Sequence, residues 1–80
     1  MIIKVRKCFD TRVLRQLFFI SGFLSLYNEN YVKALKYFKR IRDIGDEESD
    51  KLTKMKAYEQ MGLCYRNLKD YKNAIKCYKK

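Results

Sequence analysis

The side chains in this 80-residue chain whose types could do chemistry are few. They are three cysteines (Cys8, Cys64 and Cys77), a run of acids at Asp46, Glu47, Glu48 and Asp50, and an isolated Glu59. There is no histidine anywhere, which removes the commonest general base and the commonest neutral metal ligand. The cysteines are odd in number and form no CxxC pair, so neither the usual zinc patterns nor a disulfide framework fits them. They are expected to be buried thiols in a reducing compartment. The acids from 46 to 50 are too close together to converge on one ion without EF-hand spacing, and they suit the start of a helix instead. Glu59 has no base or nucleophile at a fixed spacing, and no Gly-rich phosphate loop is present. The expectation is a non-catalytic protein with no cofactor and no metal.

A second set of chemically active residues is cationic. Nineteen Lys and Arg against nine Asp and Glu give a net charge of +10, which favours an acidic protein surface, nucleic acid or an anionic membrane as partner. Lys36, Lys39 and Arg40 recur forty positions later as Lys76, Lys79 and Lys80. If the two segments stack, these six form a basic ridge, either a solvated face or a docking strip for acidic groups. A phosphate-tracking strip would bind more weakly as salt rises.

The stretch LFFISGFLSL, residues 17–26, follows a basic leader and raises the question of targeting. A bilayer span takes about 20 apolar residues, so ten do not suffice. The stretch is long enough for the core of a secretory signal, but no A-x-A site follows it. A mitochondrial presequence stays open, because Lys4, Arg6, Lys7, Arg12 and Arg15 face one acid, Asp10.

An internal repeat gives these residues their setting. A shift of 40 places Gly22 on Gly62, Tyr31 on Tyr71 and Ala34 on Ala74, with Phe18 on Tyr58 and Phe38 on Tyr78. Tyr31, Ala34, Leu35, Phe38 and Ile41 follow the spacing of an amphipathic helix, and Tyr71, Ala74, Ile75 and Tyr78 repeat it. Leu52, Met55, Tyr58, Met61, Gly62 and Tyr65 mark an apolar stripe on a helix over 51–67, matched by one over about 11–27. Residues 28–30 and 68–70 read as turns, with Asn30 and Asp70 as N-caps. Gly45 reads as the left-handed residue closing the second helix. The predicted organisation is a basic extension over 1–10, a first helix pair over 11–45, and a second over 46–80 that stops short at its C-terminus. The fold class is all-α: helix-turn-helix repeats stacked as an α-solenoid.

The segment AYEQMGLCYRNLKDYKNAIKCYKK, residues 57–80, resembles the tetratricopeptide repeat through Tyr58, Met61, Gly62, Tyr65, Tyr71, Ala74 and Tyr78. The first copy resembles it less fully, through Phe18, Gly22, Tyr31, Ala34 and Phe38, and departs from it at Ser21, Ser25 and Asp46, so that the resemblance covers about residues 11–80. The 40-residue spacing is similar to the long variety in kinesin light chains and in polarity and G-protein adaptors. The resemblance implies a protein-interaction scaffold within a larger complex, in the cytoplasm and of the cytoskeletal or ciliary kind. It implies a concave face lined by Gln16, Phe19, Phe23 and Leu26 on one repeat and Lys56, Glu59, Leu63 and Arg66 on the next. That floor, half apolar and half charged, would take a partner helix or an extended peptide. Phe19 and Phe23 could instead pack against a preceding helix, one over residues 2–9, or against another chain; they stand where chaperone-binding members carry a lysine and asparagine clamp for a carboxylate, so the resemblance implies that this clamp is absent. The resemblance also implies that two repeats are part of a longer array or borrow a neighbour. An RNA-reading pentatricopeptide repeat is the alternative, disfavoured by the 40-residue period.

Overall fold

In a computed structural model, the backbone is described for residues 2–79 and the side chains for residues 11–79. Four helices follow one another: α1 (Ile2–Tyr27), α2 (Tyr31–Glu47), α3 (Lys51–Asn67) and α4 (Tyr71–Lys79). Each packs antiparallel against its neighbours in sequence, and the described residues contain no strand. The all-α expectation and the stacking of helix pairs hold. The sequence reading set residues 1–10 apart as an extension, but α1 runs unbroken from Ile2, and no Gly or Pro stands in it before Gly22. The side chains of Lys4, Arg6, Lys7, Cys8 and Asp10 lie outside the described residues, as does Lys80.

α2, α3 and α4 begin at Tyr31, Lys51 and Tyr71, a step of twenty, because each loop is built alike. Glu29, Ser49 and Lys69 occupy left-handed backbone at φ 59°, 53° and 64°. The next amide in each loop reaches back over the helix end. Asn30 N–H donates to the Ser25 carbonyl, Asp50 to Gly45 and Asp70 to Tyr65, all at 2.8 Å. These are Schellman closures, which satisfy carbonyls that the helix end leaves open. Each loop then supplies the cap of the following helix. The Asn30, Asp50 and Asp70 side chains accept from the amides of Lys33, Thr53 and Asn73.

Gly45 does not close α2. It lies within the helix, buried, with no positive φ, and Ser49 takes the left-handed role. A Cβ on Gly45 would stand 2.9 Å from Lys54 Cγ and 3.2 Å from Thr53 Cγ2, so its smallness serves the approach of α3. Asp46 and Glu47 consequently fall in the last turn of α2, where the helix dipole disfavours negative charge. Cations answer most of the run: Lys54 Nζ lies 3.1 Å from Asp46, and Arg15 of α1 reaches Glu48 at 3.3 Å and Asp50 at 3.4 Å. Of the acids read as a helix entrance, only Asp50 caps one. Its carboxyl is held below the usual carboxylate range, chiefly because the Thr53 hydroxyl and amide donate to it.

The core runs from α1 to α4 through Ala34, Leu35, Phe38, Ile41, Ala57, Met61, Cys64 and Cys77, with Phe18, Phe19, Leu26, Tyr58 and Tyr65 packed around it. Burying a ring such as Phe38, which is 0% exposed, stabilises the fold by about 1.5–3 kcal/mol. Gly22 makes room for that ring: a Cβ there would stand 2.6 Å from Phe38 Cζ. Gly62 faces Tyr78 in the same way at 2.8 Å, so the contact repeats at the offset of 40. Ser25 is buried because its hydroxyl donates to the Ser21 carbonyl at 2.9 Å.

Three expectations about packing are corrected. On α3 the buried face is Thr53, Ala57, Met61, Gly62 and Cys64, whereas Leu52 and Met55 are exposed. Close approach to α2 selects small residues there, and a stripe of large ones points partly the wrong way. Tyr71 and Tyr78, read as packing residues, are more than half exposed, since α4 is packed on the α3 side only. The run LFFISGFLSL is apolar all round, which reads as a helix covered on more than one side, yet α1 presents Val13, Leu14, Leu17, Ile20, Phe23, Leu24 and Tyr27 to solvent. It packs on α2 and leaves the opposite side open.

Candidate functional site

α1 and α3 stand on the same side of α2, and an open groove of about 410 Å³ lies between them. Phe19 and Phe23 of α1 form one wall; Lys56, Glu59 and Gln60 of α3 form the other. The helical spacing 19/23 and 56/59/60 turns each set to one face, and antiparallel packing through α2 brings the two faces opposite each other.

The aromatic wall is built from rings packed on one another. The Phe19 and Phe23 rings stack at 6.1 Å, and both lean on Phe38, with Phe23 edge-on at 5.6 Å. Phe19 is half-buried, while Phe23 keeps nearly half of its surface open to the groove. Residues 2–9 belong to α1 itself and form no separate helix beneath the pair; the helix that these rings pack on is α2, and the face turned away from it remains available. On the polar wall, Lys56 and Glu59 are exposed and form no ion pair among the described residues, so both charges are open to a ligand. The groove offers an apolar shelf facing one cation, one carboxylate and the Gln60 amide.

Four of the eight predicted lining residues meet here: Phe19, Phe23, Lys56 and Glu59. Gln16 and Arg66 are exposed but stand outside the lining, Leu26 packs on the core, and Leu63 is half-buried away from it. Gln60 escaped the sequence reading, although its place four residues after Lys56 puts it on the same helical face.

Lys36, Arg40, Lys76 and Lys79 are exposed on α2 and α4, while Lys39 is half-buried. Lys76 also edges a shallow hollow of about 180 Å³ shared with Arg42, Tyr58 and Tyr65, which joins α4 to α2 across α3. Cys64 and Cys77 are buried and in no disulfide. Burial pushes the Cys64 thiol up to about 11, with the neighbouring Cys77 adding to the effect. Among the described residues no helix is long and apolar enough to cross a membrane. No protein-family profile, curated protein or solved structure matches this chain.

Proposed function

We propose that this chain is a non-catalytic docking module of the tetratricopeptide type, which holds a helix or extended peptide of a partner protein between α1 and α3. The observation that carries the reading is the groove itself. An apolar shelf (Phe19, Phe23) and two charges without an ion pair among the described residues (Lys56, Glu59) face each other across a width set by α2, the helix beneath both. Such a site suits a peptide with an aromatic or aliphatic anchor for the shelf and a carboxylate within reach of Lys56. The net charge of +10 favours acidic partners over basic ones at the encounter stage.

Selection of a displayed random-peptide library on the folded protein tests this, followed by titration of the recovered peptides. Phe23→Ala is expected to weaken binding by roughly tenfold, the usual effect of trimming an aromatic anchor. Lys56→Glu is expected to reverse the preference for acidic peptides, and Lys36→Glu, on α2, to leave affinity unchanged. Peptides whose binding ignores Phe23 and Lys56 would remove the groove from the proposal. Binding that depends on Lys36 and Lys76 and fades steeply with salt would transfer the function to the basic ridge.

A further inference from the structure

The hollow of about 180 Å³ bounded by α2, α3 and α4 shares no residue with the groove. Tyr58 and Tyr65 of α3, Arg42 of α2, and Asn73, Lys76 and Cys77 of α4 line it. The repeat explains why it is open. Tyr58 and Cys77 hold the places of Phe18 and Tyr37, whose rings pack together at 6.1 Å between α1 and α2. Gly62 meets Tyr78 as Gly22 meets Phe38, so α3 and α4 pack in the register of α1 and α2. A cysteine stands where that register calls for a ring, and the room a ring would take stays open.

The lining is rich in donors and holds no carboxylate. Arg42 gives its Nε–H and one Nη2–H to Asp43, at 3.1 and 2.9 Å. The Nη1 end of its fork is in no hydrogen bond among the described residues. Lys76 forms no ion pair among those residues. The Tyr58 and Tyr65 rings are half-buried, yet neither hydroxyl is hydrogen-bonded among the described residues. Asn73 donates one amide hydrogen to Asp70 at 2.7 Å and keeps the other. Donors gathered from three helices, with no acid among them, suit an anion.

We propose that this hollow seats one carboxylate, a Glu or Asp side chain from an acidic segment of a partner protein. The charge balance selects it. Asp43 already balances Arg42, so Lys76 supplies one unbalanced positive charge, which a monoanion matches and a phosphate dianion exceeds. The carboxylate accepts from Lys76 and from the free end of the Arg42 fork, and its methylenes lie against the tyrosine rings. The field of a chain with net charge +10 brings acidic segments to it. This is one seat and not a ridge. Lys36 and Lys76 share a place in the repeat, but Tyr37 follows Lys36 where Cys77 follows Lys76. The inference does not rest on the groove, so either can fail without the other.

An NMR titration of the isotope-labelled 80-residue chain tests the proposal. The probe is a short blocked peptide rich in glutamate; its glutamine and phosphoserine counterparts and inorganic phosphate are the comparison arms. Shifts are expected to concentrate on Arg42, Tyr65, Asn73 and Lys76, and the glutamine peptide is expected to cause none. Lys76→Gln is expected to weaken binding by about tenfold, the loss of one charge-assisted hydrogen bond. Lys36→Gln removes the same charge from α2 and is expected to weaken it by less than about threefold. Cys77→Tyr changes no charge, puts back the ring found in the first helix pair, and is expected to abolish the shifts. If that variant loses helicity by circular dichroism, Tyr65→Phe replaces it, with an expected loss of about fivefold. Shifts spread evenly over the surface cations, or equal losses in the two Lys→Gln variants, would reduce the seat to a diffuse field and overturn the proposal. So would a folded Cys77→Tyr, or failing that Tyr65→Phe, that binds like the wild type. Tighter binding of the phosphoserine peptide or of inorganic phosphate overturns the carboxylate assignment. Shifts confined to Phe23, Lys56 and Glu59 overturn it as well and give the acidic peptide to the groove.

Discussion

Gly22 and Gly62 occupy equivalent places in α1 and α3, and each faces an aromatic ring sixteen residues onward, Phe38 and Tyr78. The surroundings of the two rings differ. Phe38 is 0% exposed and boxed by Phe19 and Phe23, so it cannot yield to a Cβ placed 2.6 Å away. Overpacking costs about 1–3 kcal/mol and exceeds the roughly 1 kcal/mol that Ala gains over Gly in a helix. Gly22→Ala is expected to lower the urea midpoint by the equivalent of about 1–2 kcal/mol. Tyr78 is more than half exposed and can swing outward, so Gly62→Ala is expected to be neutral or to stabilise by up to about 1 kcal/mol. Equal losses in both variants would show that the rings are held alike. The glycine register was legible from spacing alone; the partner was not, because Ala34 and Ala74 also recur at that offset and only packing reveals that the rings fill the space.

At the scale of helices and loops, three positions carry backbone strain: Glu29, Ser49 and Lys69 sit in left-handed conformation without being glycine. A side chain there costs about 1–2 kcal/mol in the folded state, part of which Gly gives back through its freer unfolded chain. Glu29→Gly, Ser49→Gly and Lys69→Gly are each expected to stabilise by about 0.5–1 kcal/mol. Thermal midpoints would rise by about 2–8 °C in a domain this small. A melt that falls or does not move for all three would mean that the side chains contribute contacts offsetting the strain. The loops at 28–30 and 68–70 were readable because Asn and Asp caps follow them. The loop at 48–50 was misplaced by three or four residues, since Gly45 is the nearest glycine and a glycine near a helix end is the usual closing residue. Here it is spent on letting α3 approach.

Across the whole molecule, the clearest consequence of stacking is the state of Cys64. It lies in the core that α2, α3 and α4 build together, and burial raises its thiol from 9.0 to about 11. A folded-state value above the unfolded one means that the folded chain holds the proton more tightly. The resulting stabilisation is fully present below about pH 9 and disappears as pH rises through about 11. At about 1.4 kcal/mol per unit it amounts to about 2–3 kcal/mol. Urea unfolding between pH 8 and 11 checks this against Cys64→Val, whose loss over the same interval should be smaller by that amount. Parallel curves for the two proteins would show that Cys64 is hydrated. The +10 charge acts at this scale too, because a net field of that sign favours acidic over basic molecules at encounter.

The sequence by itself determined the helices, the two-unit register and the absence of any histidine-based chemistry. Those follow from local periodicity, capping side chains and composition, which do not depend on what a helix packs against. Spacing also puts Phe19 with Phe23, and Lys56 with Glu59, on one face of a helix each; that these faces line a groove was only what the resemblance to the tetratricopeptide repeat implied. Tertiary structure decided which apolar residues are covered. Leu17 and Ala57 share a place in the repeat, yet one lies at an open end and the other between two helices. Period and hydropathy assign both to a packing face. Burial depends on whether a neighbouring helix occupies that side, and this is a property of position in the stack.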